Sequence, residues 1–478
     1  MKHADDGLVI PHSDAATAAP RDALITRPLM LILVVGAVVR LALWLPFRNV
    51  ELHHDECDYN ALAVNLVLHG ELSFTPGTPI SIRPPFYPAV LAGIYRMLGM
   101  ECFQAVRLLQ AALSLLTVAV MYWLAADLFS RRVGLFAAGL FCFYPSLLGF
   151  NNLLMTETLF TFLLCVAIYA IVRAIQRSSL AMLAAGGVVL GLSALTRSVM
   201  WAFVVPLAVF LLLAWKGNVL RRLLAAGVVT LAFACTLAPW SIRNTRLEHT
   251  FIVVDTMGGR NLYMGNYAHT PLFRSWDAIS LEGEQAWYHD LHRDFPQSDW
   301  DTQGKLDKLA ARQGVRFITA HPGLTLQRDS VKFLQFWGLE RELIAGAGRG
   351  YFGAIPAWGI VLLTLIIFGA YTFVMIAGVF GIAMAPPADR RLGWLLLLVI
   401  AFVWVMHAIV FAHSRYHLPV LVLLLPFSAS AIAQWRDLWQ RRRERCCRVA
   451  CGVSALLVLG WLCEIVLVER ERFLALLS

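Results

Sequence analysis

The chain has 478 residues, 59% of them hydrophobic and only 15% charged. A soluble domain is about half apolar and about a quarter charged. The difference excludes a soluble enzyme, a disordered chain and a disulfide scaffold, and places most of the chain in lipid. Forty basic against 31 acidic residues give a formal charge of +9. That excess reads as cytoplasmic loops enriched in Lys and Arg, not as a nucleic-acid partner. Nearly all the basic residues are arginine. Arginine grips phosphate with a planar fork, and a high-GC genome gives the same bias; both readings stand. The nine cysteines require no framework. Cys57 and Cys102 fall on one predicted face and could pair. Cys446, Cys447 and Cys451 fit no zinc spacing.

Residues 1–27 are polar and are expected to form a disordered cytoplasmic tail. The first apolar run, 28–47, is followed by no small-residue cleavage pattern and is predicted to be an uncleaved membrane helix. The polar stretch 48–102 carries two amphipathic pieces. One covers 55–69 and stops at Gly70; the other covers 84–98, opens on Pro84-Pro85 and stops at Gly99. Both are expected to lie along the membrane surface. Apolar runs follow at 104–126, 134–150, 154–174, 180–196, 199–215 and 222–240. The segment 241–355 has ordinary soluble composition, with strand-like pieces over 251–266 and helical patterns over 282–295, 301–320 and 323–337. The last runs are 356–384, 392–412, 417–434 and 449–468. The chain therefore reads as an all-α polytopic membrane protein of about eleven spans (thirteen if a compensating pair is hidden), with a small mixed outer segment. The divisions are the tail, a membrane module over 28–240, the outer segment 241–355 and membrane helices over 356–478.

With the N-terminus inside, each inner loop carries at least two basic residues, including Arg131-Arg132, Arg390-Arg391 and Arg441-Arg442-Arg443. The polar clusters all fall on the other face. His53-His54-Asp55-Glu56-Cys57-Asp58-Tyr59 places carboxylates at a membrane boundary. There they either act as base or metal ligand or cap the following helix. Arg83 before Pro84-Pro85-Phe86-Tyr87 sits where a phosphate docks at a helix start, or it snorkels. Glu157, near a span end, is costly unless paired or functional, and Arg197 is a fitting partner. Pro239-Trp240-Ser241-Ile242-Arg243-Asn244 is followed by a Gly- and Asn-rich loop with Asn261 and Asn266, which either closes over a head group or makes ordinary turns. His413-Ser414-Arg415-Tyr416 suits a lipid phosphate, or an interface belt.

In their order along the chain, these segments resemble the C-type (GT-C) glycosyltransferases, in the branch that holds protein O-mannosyltransferases and the lipid A aminoarabinose transferase. Asp55-Glu56 with Tyr59, Ala63 and Gly70 is similar to that family's acidic motif. Arg83-Pro84-Pro85-Phe86-Tyr87-Pro88 is similar to its basic-Pro-Pro-aromatic motif. Thr156-Glu157-Thr158, Thr196-Arg197, Pro239–Asn244, Gly259–Asn266 and Arg415–Pro419 extend the resemblance over about 28–435. There are departures. Ser81-Ile82 precede Arg83, where the aminoarabinose transferase has an acid ahead of a lysine. The β-trefoil loop of eukaryotic protein mannosyltransferases and the Trp-Trp-Asp signature of oligosaccharyltransferases are absent.

The resemblance implies a bacterial inner-membrane enzyme with a cytoplasmic N-terminus and a periplasmic site. It would move a sugar, with inversion, from a polyprenyl-phosphate donor to an envelope glycolipid, glycan or protein. Asp55 would be the base or would orient the acceptor, with Glu56 second. Arg83, Arg243 and Arg415 would hold the leaving phosphate, helped by Tyr416 and His413. Tyr87, Glu157, Arg197, Asn244, Asn261 and Asn266 would line the substrate site. A divalent metal is left open. The rival reading is a transporter or flippase of a lipid-linked sugar, which calls for polar or broken helices near mid-membrane and related halves; neither is visible.

Overall fold

The computed structural model describes residues 26–468. All but the end of the expected tail lies outside these. Thr26 caps the first helix by accepting a hydrogen bond from the Leu29 amide, and a proline sits in its first turn.

In chain order the helices are α1 (Arg27–Trp44), α2 (Asp55–His69), α3 (Phe86–Leu98), α4 (Phe103–Leu128), α5 (Arg131–Cys142), α6 (Pro145–Phe150), α7 (Glu157–Arg177), α8 (Leu180–Ala194), α9 (Val204–Ala214) and α10 (Val219–Glu248). There follow α11 (Gly258–Met264), α12 (His289–Asp294), α13 (Gln303–Ala320), α14 (Pro322–Phe336) and α15 (Glu342–Gly348). The C-terminal part holds α16 (Ala357–Met384), α17 (Arg390–Ile409), α18 (Leu418–Leu421), α19 (Leu425–Ala433), α20 (Trp435–Gln440) and α21 (Arg445–Cys463). The two surface helices expected in the first polar stretch are α2 and α3, and α2 ends at Gly70 in the left-handed conformation, as expected of a C-terminal glycine.

Among the described residues, eight helical segments are long and apolar enough to cross a membrane: Arg27–Phe47, Phe103–Leu128, Glu157–Arg177, Val219–Glu248, Ala357–Met384, Arg390–Ile409, Ser414–Ala433 and Arg445–Val468. The protein is a multi-pass membrane protein. The other three expected spans are helical but short. The run at 134–150 breaks between α5 and α6, where the chain turns at Phe143-Tyr144 and restarts on Pro145. Those at 180–196 and 199–215 become α8 and a 3-10 turn leading into α9. Burial sorts the long helices. Of the most apolar stretch in each, 78% is inside the protein in α7 and 83% in Ser414–Ala433, against 17% in the first helix and 11% in the last. The former make the centre of the bundle; the latter face lipid.

The glycines of α8 explain its close packing. A Cβ on Gly187 would lie 2.8 Å from the Val229 carbonyl oxygen, and one on Gly191 would lie 2.7 Å from Thr236 Cβ. One small face, repeated every four residues, thus lets α8 approach α10 closely.

One expectation for the outer segment is overturned. The helix that leads into it, α10, continues through Pro239 to Glu248. The segment is not mixed. Among the described residues there is no strand, only isolated bridges between Ser73 and Pro79 and between Tyr351 and Gly353. Residues 252–257 form an irregular stretch with bends at 253, 254 and 256, and the carbonyls of Ile252 and Val254 are taken by side chains of α10. Trp240 Nε1 and Asn244 Nδ2 each donate to the Val254 carbonyl at 2.8 Å, and Ser241 Oγ donates to that of Ile252. With its carbonyls met in this way, the stretch has no need of a neighbouring strand. Residues 258–264 then form α11. Gly259 allows it onto α13, since a Cβ there would strike the Asp307 carbonyl.

Candidate functional site

The site begins with the first turn of α2. Asp55, Glu56 and Asp58 all lie in that turn, where the helix dipole favours negative charge. Asp55 and Asp58 are three apart and share a face. Glu56 points elsewhere. It is buried, and its carboxylate accepts from the Leu154 amide at 2.7 Å and reaches back to the His53 amide at 3.2 Å. Burial pushes its carboxyl up against those two hydrogen bonds. Glu56 therefore ties α2 to the loop ahead of α7.

Three arginines from distant parts of the chain join Asp55, Asp58 and Glu157 into one network. Arg83 precedes α3, and its Nη2 lies 3.0 Å from Asp55 Oδ1 and 2.8 Å from Asp58 Oδ2. Arg415 sits in the 3-10 turn Ser414–His417. Its Nη1 is 3.2 Å from Asp55 Oδ2 and its Nε is 2.5 Å from Glu157 Oε1. Arg197 follows α8, and its Nη1 is 2.9 Å from the same Glu157 oxygen. The result is one chain of charges, Asp58–Arg83–Asp55–Arg415–Glu157–Arg197, closed by aromatics. Arg83 lies 5.6 Å from the Tyr59 ring centre, and Arg197 lies 5.6 Å from that of Tyr416 and 5.8 Å from that of Phe160.

Burial alone would raise the Asp55 carboxyl, but the adjoining Arg415 and Arg83 outweigh it and hold it below the usual carboxylate range. Asp55 is thus ionised and a weak base. Arg83 loses some preference for charge by burial, yet Tyr59, Asp55 and Asp58 more than restore it. Arginine has five N–H groups. Arg83 spends only Nη2 on its two carboxylates, and Arg415 spends Nε and Nη1. The remaining edges can receive an anion without breaking the pairs. Glu157 Oε2 is buried with no hydrogen-bond partner among the described residues, a further polar atom left open in the network.

These groups do not suit a divalent metal. Among the described residues no cluster of three or more His, Cys, Asp or Glu could hold one, and Asp55, Asp58 and Glu157 are each engaged by arginine.

The other expected residues are placed as follows. His413 borders the network: its Nδ1 accepts from the Arg415 amide at 3.0 Å and its Nε2 lies 3.8 Å from Glu342. Burial, then the charges of Arg341 and Arg415, push its basicity well down, so the ring is neutral at pH 7 with its proton on Nε2. Tyr87 is buried and donates to Gln110 Oε1 at 3.0 Å. Arg243 is not brought to Asp55. Its partners are the Ile80 carbonyl, Asn244 Oδ1 and the Trp240 ring at 4.6 Å, and with Arg246 it lines an open cleft of about 400 Å³. Asn244 is buried and pins the extended stretch through Val254. Asn266 is buried and donates to the Leu262 and Ile409 carbonyls, fastening the outer segment to α17. Asn261 lies in α11, half-buried. All nine cysteines are free, Cys57 and Cys102 included.

Asp58 stands in the first acidic cluster of the sequence but is given no separate role there; its three-residue spacing to Asp55 is the signal that puts both on one face.

Comparison with known proteins agrees with this architecture. Residues 82–242 match the family model described as dolichyl-phosphate-mannose-protein mannosyltransferase. That interval holds Arg83, Glu157 and Arg197. No curated protein matches the sequence significantly. The archaeal oligosaccharyltransferase AglB from Archaeoglobus fulgidus, solved in complex with an inhibitory peptide and a dolichol-phosphate, is similar at a TM-score of 0.50 and 13% identity. The match covers 91% of this chain and 54% of that one. The apo form of the A. fulgidus oligosaccharyltransferase gives 0.50 and 14%, over 90% of this chain and 54% of that one. This chain thus spans about half the length of those enzymes. ArnT from Cupriavidus metallidurans bound to undecaprenyl phosphate gives 0.38 and 14%, over 85% and 79% of the two chains.

The chain is a multi-pass membrane protein with the GT-C fold. The motif resemblance to GT-C glycosyltransferases is met by an independent family match over residues 82–242.

Proposed function

We propose that the protein is a glycosyltransferase that moves a sugar from a polyprenyl-phosphate donor to an envelope acceptor, whether lipid, glycan or protein. The observation that carries this reading is the convergence of Arg83 and Arg415 on the two oxygens of Asp55. In a single inverting displacement the acceptor oxygen attacks the anomeric carbon as the carbon–phosphate oxygen bond breaks. The leaving phosphate carries its own charge and is stabilised by preorganised cations rather than by protonation. Arg83 and Arg415 have N–H groups that bond no side chain among the described residues, and these receive it. Asp55 fixes both guanidinium groups and orients the acceptor. Glu157 and Arg197 hold Arg415 in turn. Tyr416 and His413 border the same network. We place this site on the periplasmic face of a bacterial inner membrane, with the N-terminus cytoplasmic, in keeping with the basic loops on the opposite side.

The test is mass spectrometry of lipid extracts and envelope glycans. It compares a deletion strain with strains complemented by wild type or Asp55→Asn. A sugar-sized loss from an envelope molecule, accumulation of its lipid-linked sugar, and rescue by wild type alone support the reading. Rescue by Asp55→Asn as well sinks it.

A further inference from the structure

Helix α14 (Pro322–Phe336) has its polarity turned inside out. Its charged residues are Arg328, Asp329 and Lys332. Arg328 is only 6% exposed and Lys332 not at all, whereas Leu326 is 71% exposed and Leu334 67%. Gly323, Leu326, Gln327, Ser330, Phe333 and Leu334 are exposed at the three- and four-residue spacing of one helix face, and that face carries no charge. A helix lying on a protein in water has the opposite order, apolar inward and charged outward. Helix α13, just before it, does expose charge, at Lys308, Arg312 and Arg316.

The inward charges of α14 are held in place. Arg328 Nη1 donates to the Tyr267 carbonyl at 2.8 Å, and its Nη2 donates to that of Thr270 at 2.7 Å. Lys332 Nζ donates to Asp329 Oδ1 at 2.9 Å and to the Ile409 carbonyl at 3.3 Å. Buried cations are tolerated when they are bonded in this way. The same bonds fix the rotation of the helix, so its apolar face is kept outward.

The depth of this face follows from α17, the apolar span Arg390–Ile409. Phe333 stacks on Trp404 of that span with ring centres 3.6 Å apart, and its carbonyl accepts from Trp404 Nε1 at 2.9 Å. At 1.5 Å per residue, Trp404 lies about 7.5 Å short of the end of the span at Ile409. Val405, next to Trp404, is exposed on the span itself. The C-terminal end of α14 is therefore level with the hydrocarbon, and its outward face continues the lipid-facing surface of α17.

We propose that α14 is embedded in the membrane, with Leu326, Phe333 and Leu334 against the acyl chains of the leaflet that borders the site. With 15 residues it is too short to cross; it is an interfacial helix, held by the apolar area that it buries in lipid. The outer segment is thereby anchored in the bilayer at its middle and not only at its two ends. The anchor reaches the site. The Phe336 carbonyl oxygen, at the end of α14, lies 2.6 Å from His417 Nδ1, in the turn that carries Arg415. None of this depends on the transferase reading.

The test uses the full chain reconstituted in vesicles of phosphatidylethanolamine and phosphatidylglycerol, doped with a phospholipid that bears a diazirine in its acyl chain. Illumination attaches the lipid to residues that touch the acyl chains, and mass spectrometry maps them. Peptides with Leu326 and Leu334 should be labelled at the level of Leu456 on α21, which is 70% exposed. A water-borne diazirine reagent should spare them and mark Arg312 on α13. Leu334→Glu should unfold in the vesicles at a lower temperature than wild type, because a carboxylate in hydrocarbon is costly. Lipid labelling of α21 but not of α14, with the water-borne reagent marking Leu326 and Leu334, overturns the proposal. An unchanged unfolding temperature in Leu334→Glu also places the face in water and overturns it. So does protection of α14 from both reagents, which would mean that protein covers the face, a second copy of this chain where cross-linked dimers appear.

Discussion

Arg415 Nη1 and Asp55 Oδ2 lie 3.2 Å apart although 360 residues separate them in sequence. The other Asp55 oxygen takes Arg83 at 3.0 Å, so one carboxylate sets the distance between two cations. An amide at this position keeps an acceptor oxygen but loses the charge and half of the bridge. The two guanidinium groups are then free to part. A misplacement on the order of 1 Å costs about a hundredfold in rate. Asp55→Asn should lose at least about that factor in transfer while donor binding, measured with the polyprenyl phosphate alone, persists. A variant turning over at the wild-type rate would remove Asp55 from the site.

Glu157 is the buried end of the network, with one oxygen serving both Arg197 and Arg415. Removing one member of a buried ion pair leaves its partner uncompensated, at a cost of about 3–5 kcal/mol. Glu157→Ala should therefore lower the unfolding temperature in detergent as well as abolish transfer. Removing Arg197 as well should restore part of the stability, since one stranded charge goes with it, but none of the activity. An unchanged Tm in the single variant would show that the pair contributes nothing to the fold.

The sequence carried some of these relationships and hid others. Long apolar runs such as 357–384 stand out because lipid demands them. The start of α2 was legible because acids and a terminal glycine punctuate it. Arg197 as partner of Glu157 followed from the cost of an unpaired carboxylate near a span. Three features were hidden. Trp240, Ser241 and Asn244 occupy the carbonyls of Ile252 and Val254, which takes the place of a partner strand, and no local pattern records that. Pro145 divides an apolar run whose composition looks continuous. Arg243 reads as one more phosphate-binding cation, but its place is set by the Ile80 carbonyl and Trp240. That is a matter of tertiary contact, not of motif.

The close approach of α8 to α10 gives a test of the fold that is independent of the chemistry. Gly191→Val would put a Cβ 2.7 Å from Thr236 Cβ, between two helices rather than at the end of a flexible side chain. Overpacking of this kind costs about 1–3 kcal/mol. The control is Gly452→Ala on the lipid-facing α21, where nothing lies within 4 Å of the added Cβ. There the gain in helix propensity should stabilise by up to about 1 kcal/mol. Equal melting temperatures for the two variants would argue against the close contact of α8 and α10.

Asp255 offers a readout of its surroundings that needs no substrate. Its carboxyl is raised from 3.8 to about 6 in the folded protein, mainly by burial. The unfolded chain holds its proton less tightly. Below about 3.8 the group is neutral in both states and costs nothing. As pH rises through that value, the unfolded state ionises while the folded state resists, so wild type loses stability steadily until the folded carboxyl also ionises near 6. Above that the deficit is constant. Asp255→Asn cannot ionise and escapes this loss. Its unfolding temperature relative to wild type should therefore climb between about pH 4 and pH 6 and then hold level. A difference that is flat from pH 4 to pH 8 would mean that burial does not raise the carboxyl.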